Sequence, residues 1–427
     1  MQEGSRAGSA REVFGAFLRL GLTSFGGPVA HLGYFRREFV ERRRWLGERD
    51  YADLVALCQF LPGPASSQVG FALGLRRAGW PGAIAAWLGF TLPSALLLVL
   101  FALGFAREGG NGALFAAIVH SLKIVAVAVV AQAVWSMARS LLPDWPRRAL
   151  ALLAAAVALA APGAVAQLLA LAACALIGAR MLDSAPIAVG GGDDYRVGRR
   201  SGLLALVLFA ALLAALPVAA SFSGSASLRL FEAFYRAGAL VFGGGHVVLP
   251  LLQASVVEPG WVSESAFLSG YGAAQAVPGP LFAFAAYLGA VIAGGEGGAG
   301  QAAVAQAAVA QVGFAAAGIR GAWFGAGACL VAVFLPGMLV LVGALPFWAR
   351  LRQRAALRSA VAGINAGVVG VLLAAWIDPV STSALRSALD VVVAIVLVVL
   401  LVRLRWPPLA VVATAVALGA LRALVAA

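Results

Sequence analysis

The sequence predicts an all-α polytopic membrane protein, an inverted repeat of two homologous halves with broken or re-entrant helices. Three observations carry this reading. Of 427 residues, 62% are hydrophobic and only 11% charged, with a mean hydropathy of +0.94, far from the balance of a soluble domain. Apolar stretches long enough to span a bilayer, roughly 20 residues each, recur from about residue 80 to the C-terminus. A helix-breaking phrase is also written twice, as SFGGPVAHL at 24–32 and VFGGGHVVL at 241–249.

The elements follow in chain order. The opening MQEGSRAGSARE is polar and lacks the basic, apolar, small-residue triplet of a cleaved signal, so the first hydrophobic segment is expected to stay. Phe14, Phe17, Arg19, Gly21, Phe25, Gly26 and Gly27 fall on Phe231, Phe234, Arg236, Gly238, Phe242, Gly243 and Gly244. After a one-residue shift, Trp45, Glu48, Gln59, Pro62, Gly63 and Pro64 fall on Trp261, Glu264, Gln275, Pro278, Gly279 and Pro280. Beyond an alanine- and glutamine-rich insertion near 294–318, read as a loop or surface helix, Trp80, Gly82 and Pro93 meet Trp323, Gly325 and Pro336, and Trp135 meets Trp376. The repeats are expected at 1–180 and 227–427. Between them, 181–226 holds a polar linker and an unpaired transmembrane segment.

Charge sets the orientation, because arginine and lysine collect in cytoplasmic loops. The loop after the first FGG contains Arg36, Arg37, Arg42, Arg43, Arg44 and Arg49, whereas its counterpart QASVVEPGWVSE has two glutamates and no basic residue. A second pair reverses the bias: AREGGNG at 106–112 is poor in arginine, and ARLRQRAALR carries Arg350, Arg352, Arg354 and Arg358. The halves therefore read as inverted, the arrangement of many secondary transporters, whose substrate site lies where the repeats meet. Arg76 and Arg77 match the sign of the 36–49 cluster, so segment 50–76 is expected to enter and return, as is the FGG segment. Arg386 and Arg422 are the exceptions to this scheme.

Backbone at membrane depth must be hydrogen-bonded or line a polar cavity. PGP and FGGG cannot carry a helix through that depth, since proline lacks a donor and glycine favours other conformations. Residues after Pro64 and Pro280 can start half-helices whose unpaired N–H groups face the break, and such termini attract anions. The expected site is four breaks converging on an oxyanion: Phe25, Gly26, Gly27, Pro62, Gly63 and Pro64 from the first half, Phe242, Gly243, Gly244, Gly245, Pro278, Gly279 and Pro280 from the second. Ser66 and Ser67 add hydroxyl donors, and Gln59 and Gln275 add amides. Against this stands simple kinking and close packing. Arg19 and Arg236, at equivalent positions in apolar segments, either grip a dianion or snorkel to headgroups. Lys123 poses the same choice. His31 and His246 are candidates for a coupling proton, with a structural hydrogen bond as the alternative; His120 is a further histidine of this kind. Asp53 either caps a half-helix, pairs with arginine or relays protons.

The sequence contains no HExxH, GxSxG, Walker-type loop or Cys/His ligand set, so neither enzyme activity, a cofactor nor a metal is expected. Cys58, Cys174 and Cys329 are isolated in apolar sequence and read as packing residues. The net charge of +13 is dealt out in short clusters between apolar segments, which argues for contact with the lipid bilayer rather than nucleic acid.

The two-row pattern of FGG, a polar loop and Q-x-x-PGP resembles the chromate ion transporter family in its long, duplicated form. FGGPVAHLGYF, QFLPGPASSQVGF, VFGGGHVVLPLL and AQAVPGPLFAF carry the resemblance, which covers nearly the whole chain. It implies a multi-pass protein of the cell inner membrane that exports chromate by secondary active transport and confers chromate resistance. Sulfate or another oxyanion, and an anion channel, remain the alternatives, since chromate and sulfate share charge and tetrahedral shape. An intramembrane enzyme fits less well, because the motifs offer donors without a nucleophile–base pair. The sequence leaves a homo-oligomer open. The second copy lacks the proline of GPVAH, which predicts unequal roles for the halves.

Overall fold

The computed structural model describes residues 8–107, 113–161, 163–183, 197–223, 225–242, 248–294 and 318–426. Among the described residues every regular element is helical, and five stretches are long and apolar enough to cross a membrane.

The first half opens with α1 (Ala10–Thr23), capped by Ser9, whose side chain accepts from the Glu12 N–H. Gly26 and Gly27 then adopt φ of 100° and 77°, a left-handed turn that costs glycine little, and α2 (Gly27–Phe35) leads back into a π turn over Arg36–Arg42. Next come α3 (Glu48–Phe60), a break at 61–64, and α4 (Ala65–Arg107). Helix α4 folds over at Ala78 and Gly79, where the backbone leaves helical geometry, so it has a short arm at 65–77 and a long arm at 80–107. Gly74 and Gly82 face each other across that bend, each filling the place of the other's absent side chain.

Ion pairs show where these hairpins open. Arg76, ending the short arm of α4, lies 3.0 Å from Asp50 in the first turn of α3, so both ends of 50–76 lie together. Arg77 reaches Glu12 of α1 at 3.2 Å, and Arg43, after the π turn, lies 3.9 Å from the same carboxylate. Both hairpins therefore open at one end of the bundle, the basic end, as expected of segments that enter and return.

Helices α5 (Ala113–Leu141), α6 (Trp145–Ala160) and α7 (Ala164–Met181) complete the first half. The unpaired α8 (Arg199–Phe222) follows, 24 residues long, or about 36 Å. Its Gly202 sits against Gly343 and Pro346 near the basic end, whereas Pro217 and Ser221 reach the opposite, far end.

There the second half begins, with α9 (Ala226–Ala239), α10 (Val248–Val256), α11 (Glu264–Ala276), a 3-10 turn at Leu281–Ala283 and α12 (Phe284–Gly294). Tyr287 of α12 donates to the carbonyl of Ala266 in the first turn of α11 at 2.9 Å, closing this hairpin. Arg229, Ser255 and Trp261, from the outer parts of α9 and α10 and the following loop, gather beside Ser221 of α8. The second-half hairpins thus open at the far end, and the repeat is inverted. The chain ends with α13 (Ile319–Ala344), α14 (Ala355–Ala375), α15 (Ala388–Val402) and α16 (Pro408–Ala426).

Equivalent glycines make equivalent contacts: Gly21 of α1 abuts the Gly89 and Phe90 carbonyls of α4, and Gly238 of α9 abuts Val333 of α13. Of the two exceptional arginines, Arg422 pairs with a carboxylate and Arg386 meets the same group only through its backbone. Asp390 lies 3.6 Å from Arg422, accepts the Arg386 backbone N–H, and forms the Ser387 capping box of α15. The three cysteines are free and buried. Most of the 294–318 insertion and residues 184–196 of the linker fall outside the described residues.

Candidate functional site

The breaks of the two halves are tied to one another. The N–H of Gly63, in the first PGP, donates to the carbonyl of Val241 at 2.7 Å, and the N–H of Gly279, in the second PGP, donates to the carbonyl of Ser24 at 2.9 Å. Val241 and Ser24 are equivalent residues, each immediately before its Phe–Gly–Gly, so the crossing is reciprocal. Each orphan N–H at a proline break is thereby satisfied by the opposite repeat, as backbone buried away from water requires.

Side chains lock this crossing. At Gly63 (φ 120°) an added Cβ would stand 2.9 Å from Cα of Gly337 on α13, and at Gly279 (φ 103°) 2.9 Å from Oγ of Ser94 on α4. Ser94 and Gly337 both follow the repeat's paired prolines, so these contacts are equivalent too. Gln68 strengthens the first crossing by donating through Nε2 to the carbonyls of Pro62 at 2.9 Å and Gly337 at 2.8 Å.

Polar groups collect around the second crossing. His31 on α2 is 1% exposed; its Nδ1 lies 3.4 Å from Ser66 Oγ on α4, and its ring stands edge-on to Phe90 at 5.1 Å. Ser24, Ser67, Thr91 and Ser94 are buried nearby along the same elements. Ser24 Oγ, His31 Nε2, Ser67 Oγ, Thr91 Oγ1 and Gln275 Nε2 are all buried without a hydrogen-bond partner among the described residues. Hydroxyl and amide groups in that state carry an uncompensated desolvation cost of about 1–3 kcal/mol each. The N-termini of α2 and of the short arm of α4 begin at the breaks and add positive potential there.

Several expected residues converge and others stand apart. Gly26, Gly27, Pro62, Gly63, Pro64, Ser66, Ser67, Gln275, Pro278, Gly279, Pro280 and His31 belong to the crossing region, with Phe25 and Phe242 half-buried beside it. Gly243, Gly244, Gly245 and His246 lie outside the described residues. Gln59 is exposed on α3 and Arg19 on the outer face of α1. Arg236 is paired with Glu232 at 2.7 Å in a separate cavity near the far end. Asp53 accepts from Trp348 Nε1 at 3.1 Å and pairs with Arg352 at 2.7 Å, taking the arginine-pairing role and joining the halves at the basic end. Lys123 is buried on α5 within electrostatic range of Glu264 and Arg386, and His120 lies 3.0 Å from Asp390.

Ser24, Gln68, Thr91 and Ser94 are the polar members that motif reading passed over. Gln68 carried a signal, as a glutamine inside an apolar half-helix directly after PGP; Ser24, Thr91 and Ser94 resemble ordinary small residues of membrane helices.

A helical membrane protein whose inverted halves exchange broken backbone around buried donors belongs to the class of inverted-repeat transporters. The chain belongs to the chromate transporter family, whose profile matches residues 11–179 and 228–420. It is 32% identical over 386 residues to a chromate transport protein of Pseudomonas aeruginosa, covering 88% of this chain and 82% of that protein. A probable chromate transport protein of Synechococcus elongatus is 27% identical over 86% of this chain and 84% of its own. For a chromate transport protein of Cupriavidus metallidurans the identity is 27%, over 92% of this chain and 88% of that one. No solved structure matches.

Proposed function

We propose that this protein is a secondary active transporter that exports chromate across the cell inner membrane and so confers chromate resistance. The observation that carries the reading is the reciprocal crossing of the breaks beside buried, unpartnered donors. Chromate transport proteins among its relatives support the substrate.

In this reading the dianion sheds water at the crossing and receives hydrogen bonds from Ser24, Ser67 and Gln275 and from N–H groups at the start of α2 and α4. Charge-assisted bonds of this kind contribute about 1.5–3 kcal/mol each, so several are needed to offset dehydration. His31, between Ser66 and Phe90, either donates to the anion or carries a coupled proton. Membrane potential or a proton gradient drives the cycle. Sulfate, with the same charge and shape, is the competing substrate.

The test is uptake of labelled chromate into inverted vesicles under an imposed proton gradient or potential, with and without excess sulfate. Ser24→Ala with Ser67→Ala should raise the KM for chromate by about tenfold or more at normal expression. Absence of chromate flux in the parent overturns the substrate, and passive conductance without coupling overturns the carrier.

A further inference from the structure

We propose that the far-end cavity beside α9 is a second anion site, an outer vestibule. Arg236 takes a tetrahedral dianion from the crossing by exchanging its partner Glu232, and Arg229 receives it next before release at the far end. The proposal rests on the oxyanion reading above and adds a station to it.

An open cavity of about 400 Å³ lies between the end of α8, the outer face of α9, and the loop after α10. Arg229 and Arg236 both line it. Seven residues apart on one helix, they sit two turns or about 10.5 Å from each other on the same face. Arg229 stands near the mouth, beside the Ser225 cap of α9, whereas Arg236 lies three residues before the helix ends toward the break. The pair therefore forms two steps from the break outward to the far end.

The chemistry at each step favours an anion. Nε of Arg229 is buried without a hydrogen-bond partner among the described residues, and a guanidinium donor in a cavity wall is matched in fork geometry by an oxyanion. Glu232 lies one turn from each arginine. Its Oε1 is 2.7 Å from Nε of Arg236, which makes Glu232 the partner that an anion at Arg236 would displace. Ser221 and Ser255 donate their hydroxyls to Val218 and Leu251 within their own helices, leaving the guanidinium groups to do the recognising. The N-terminal dipole of α9 adds to their potential at the mouth.

The equivalent residues of the other half differ. The repeat places Glu12 opposite Arg229, and Arg19, opposite Arg236, is exposed on α1. Helix α8, which walls the cavity, is the unpaired helix of the chain. The residues that build the vestibule therefore belong to the second half and to α8.

Trp261 lines the cavity and supplies a readout independent of transport, because chromate absorbs light and quenches indole fluorescence. Chromate is titrated into the purified full-length protein, and the same titration of Trp261→Phe is subtracted to isolate the vestibule signal. That signal should saturate in the parent and be displaced by sulfate. In Arg229→Gln it should require about tenfold more chromate, in Arg229→Lys less than that, and in Glu232→Gln less chromate than the parent, with melting temperatures checked for each. A Trp261-dependent signal that is absent in the parent, or unchanged in Arg229→Gln, overturns the vestibule whatever the vesicles transport. A signal that behaves as expected in a protein without chromate flux upholds the vestibule and overturns the transport reading.

Discussion

Helices α3 and α11 are the same piece of the repeat, and the molecule treats them differently. Nine consecutive residues of α11, Ala266–Ala274, are buried, packed on α5 and α16 as well as on α4 and α12. On α3 only Tyr51, Leu54, Leu57 and Cys58 are buried, and it packs chiefly against α4 and the π turn, with Asp53 and Phe60 reaching Trp348. The pseudo-symmetry-related helix, α14, makes no comparable contact with α3. Inverted halves need not hold the same packing at the same time. The difference leaves one PGP hairpin enclosed at the far end and its twin less covered at the basic end, two states that an alternating carrier would exchange.

The comparison breaks most directly at the two crossings that both hairpins share. Gly63→Ala and Gly279→Ala each force a side chain onto positive φ and into a neighbour, so each should destabilise the protein by about 2–5 kcal/mol. Gly33→Ala, in open space, should melt like the parent in the same thermal assay. If either crossing glycine tolerates alanine, the reciprocal bonds are not what holds the halves together.

A smaller effect is expected at the tie that holds α3 to the other half. Asp53→Asn leaves Arg352, only 9% exposed, without its carboxylate, at a cost of about 2–4 kcal/mol. Arg352→Gln in the same chain should recover part of this in a double-mutant cycle, whereas additive losses would mean the two residues act separately. Gln68→Leu removes two donors from the first crossing alone and should cost about 1–3 kcal/mol, measured by denaturant unfolding. The second crossing has Phe284 at the equivalent position, so Phe284→Leu should not reproduce that loss through hydrogen bonding.

The comparison is sharpened by accessibility. In a cysteine-free background, Gln59→Cys should react with a polar thiol reagent on the order of tenfold faster than Gln275→Cys, and from the basic side. Equal rates would mean that the two hairpins are equally enclosed. The smallest effect concerns pH. Burial pushes the Glu38 carboxyl up, but hydrogen bonding and charge from Arg43 and Arg42 outweigh it and hold it below its ordinary value, with contacts of 2.6 and 2.9 Å. A carboxyl held low stabilises the fold above its unfolded pKa, about 4.3, and loses that contribution as pH falls through its folded value. Glu38→Gln should therefore shrink the loss of stability on acidification below about pH 4.3, read from melting temperatures across pH; an unchanged acid limb would discount the cluster.

Much of this architecture was legible because duplication writes it twice. The paired FGG and PGP phrases located all four breaks, and arginine placement oriented the halves, since both follow from general costs of burying backbone and charge in a bilayer. The site was legible only in part. Sequence spacing placed Arg19 and Arg236 at equivalent positions, yet equivalence of position does not mean a shared environment: α8 covers the face of α9 that carries Arg236, whereas Arg19 is exposed among the described residues. Ser24 and Ser94 were missed because their importance comes from the opposite half, hundreds of residues away, through contacts that no local pattern records. Asp53 offered three roles in sequence, and the structure shows it paired with Arg352.

The reciprocal hydrogen bonds also set a clock. Gly63 leaves the ribosome roughly 180 residues before Val241, the partner for its N–H, and at about 5–20 residues per second that gap lasts around ten to thirty-five seconds. During that interval the first proline break sits in the membrane or its insertion machinery with a donor that its own half does not satisfy. Biogenesis must therefore shelter an unfinished first half, by water, lipid headgroup or an insertion factor, until the second half arrives to complete it.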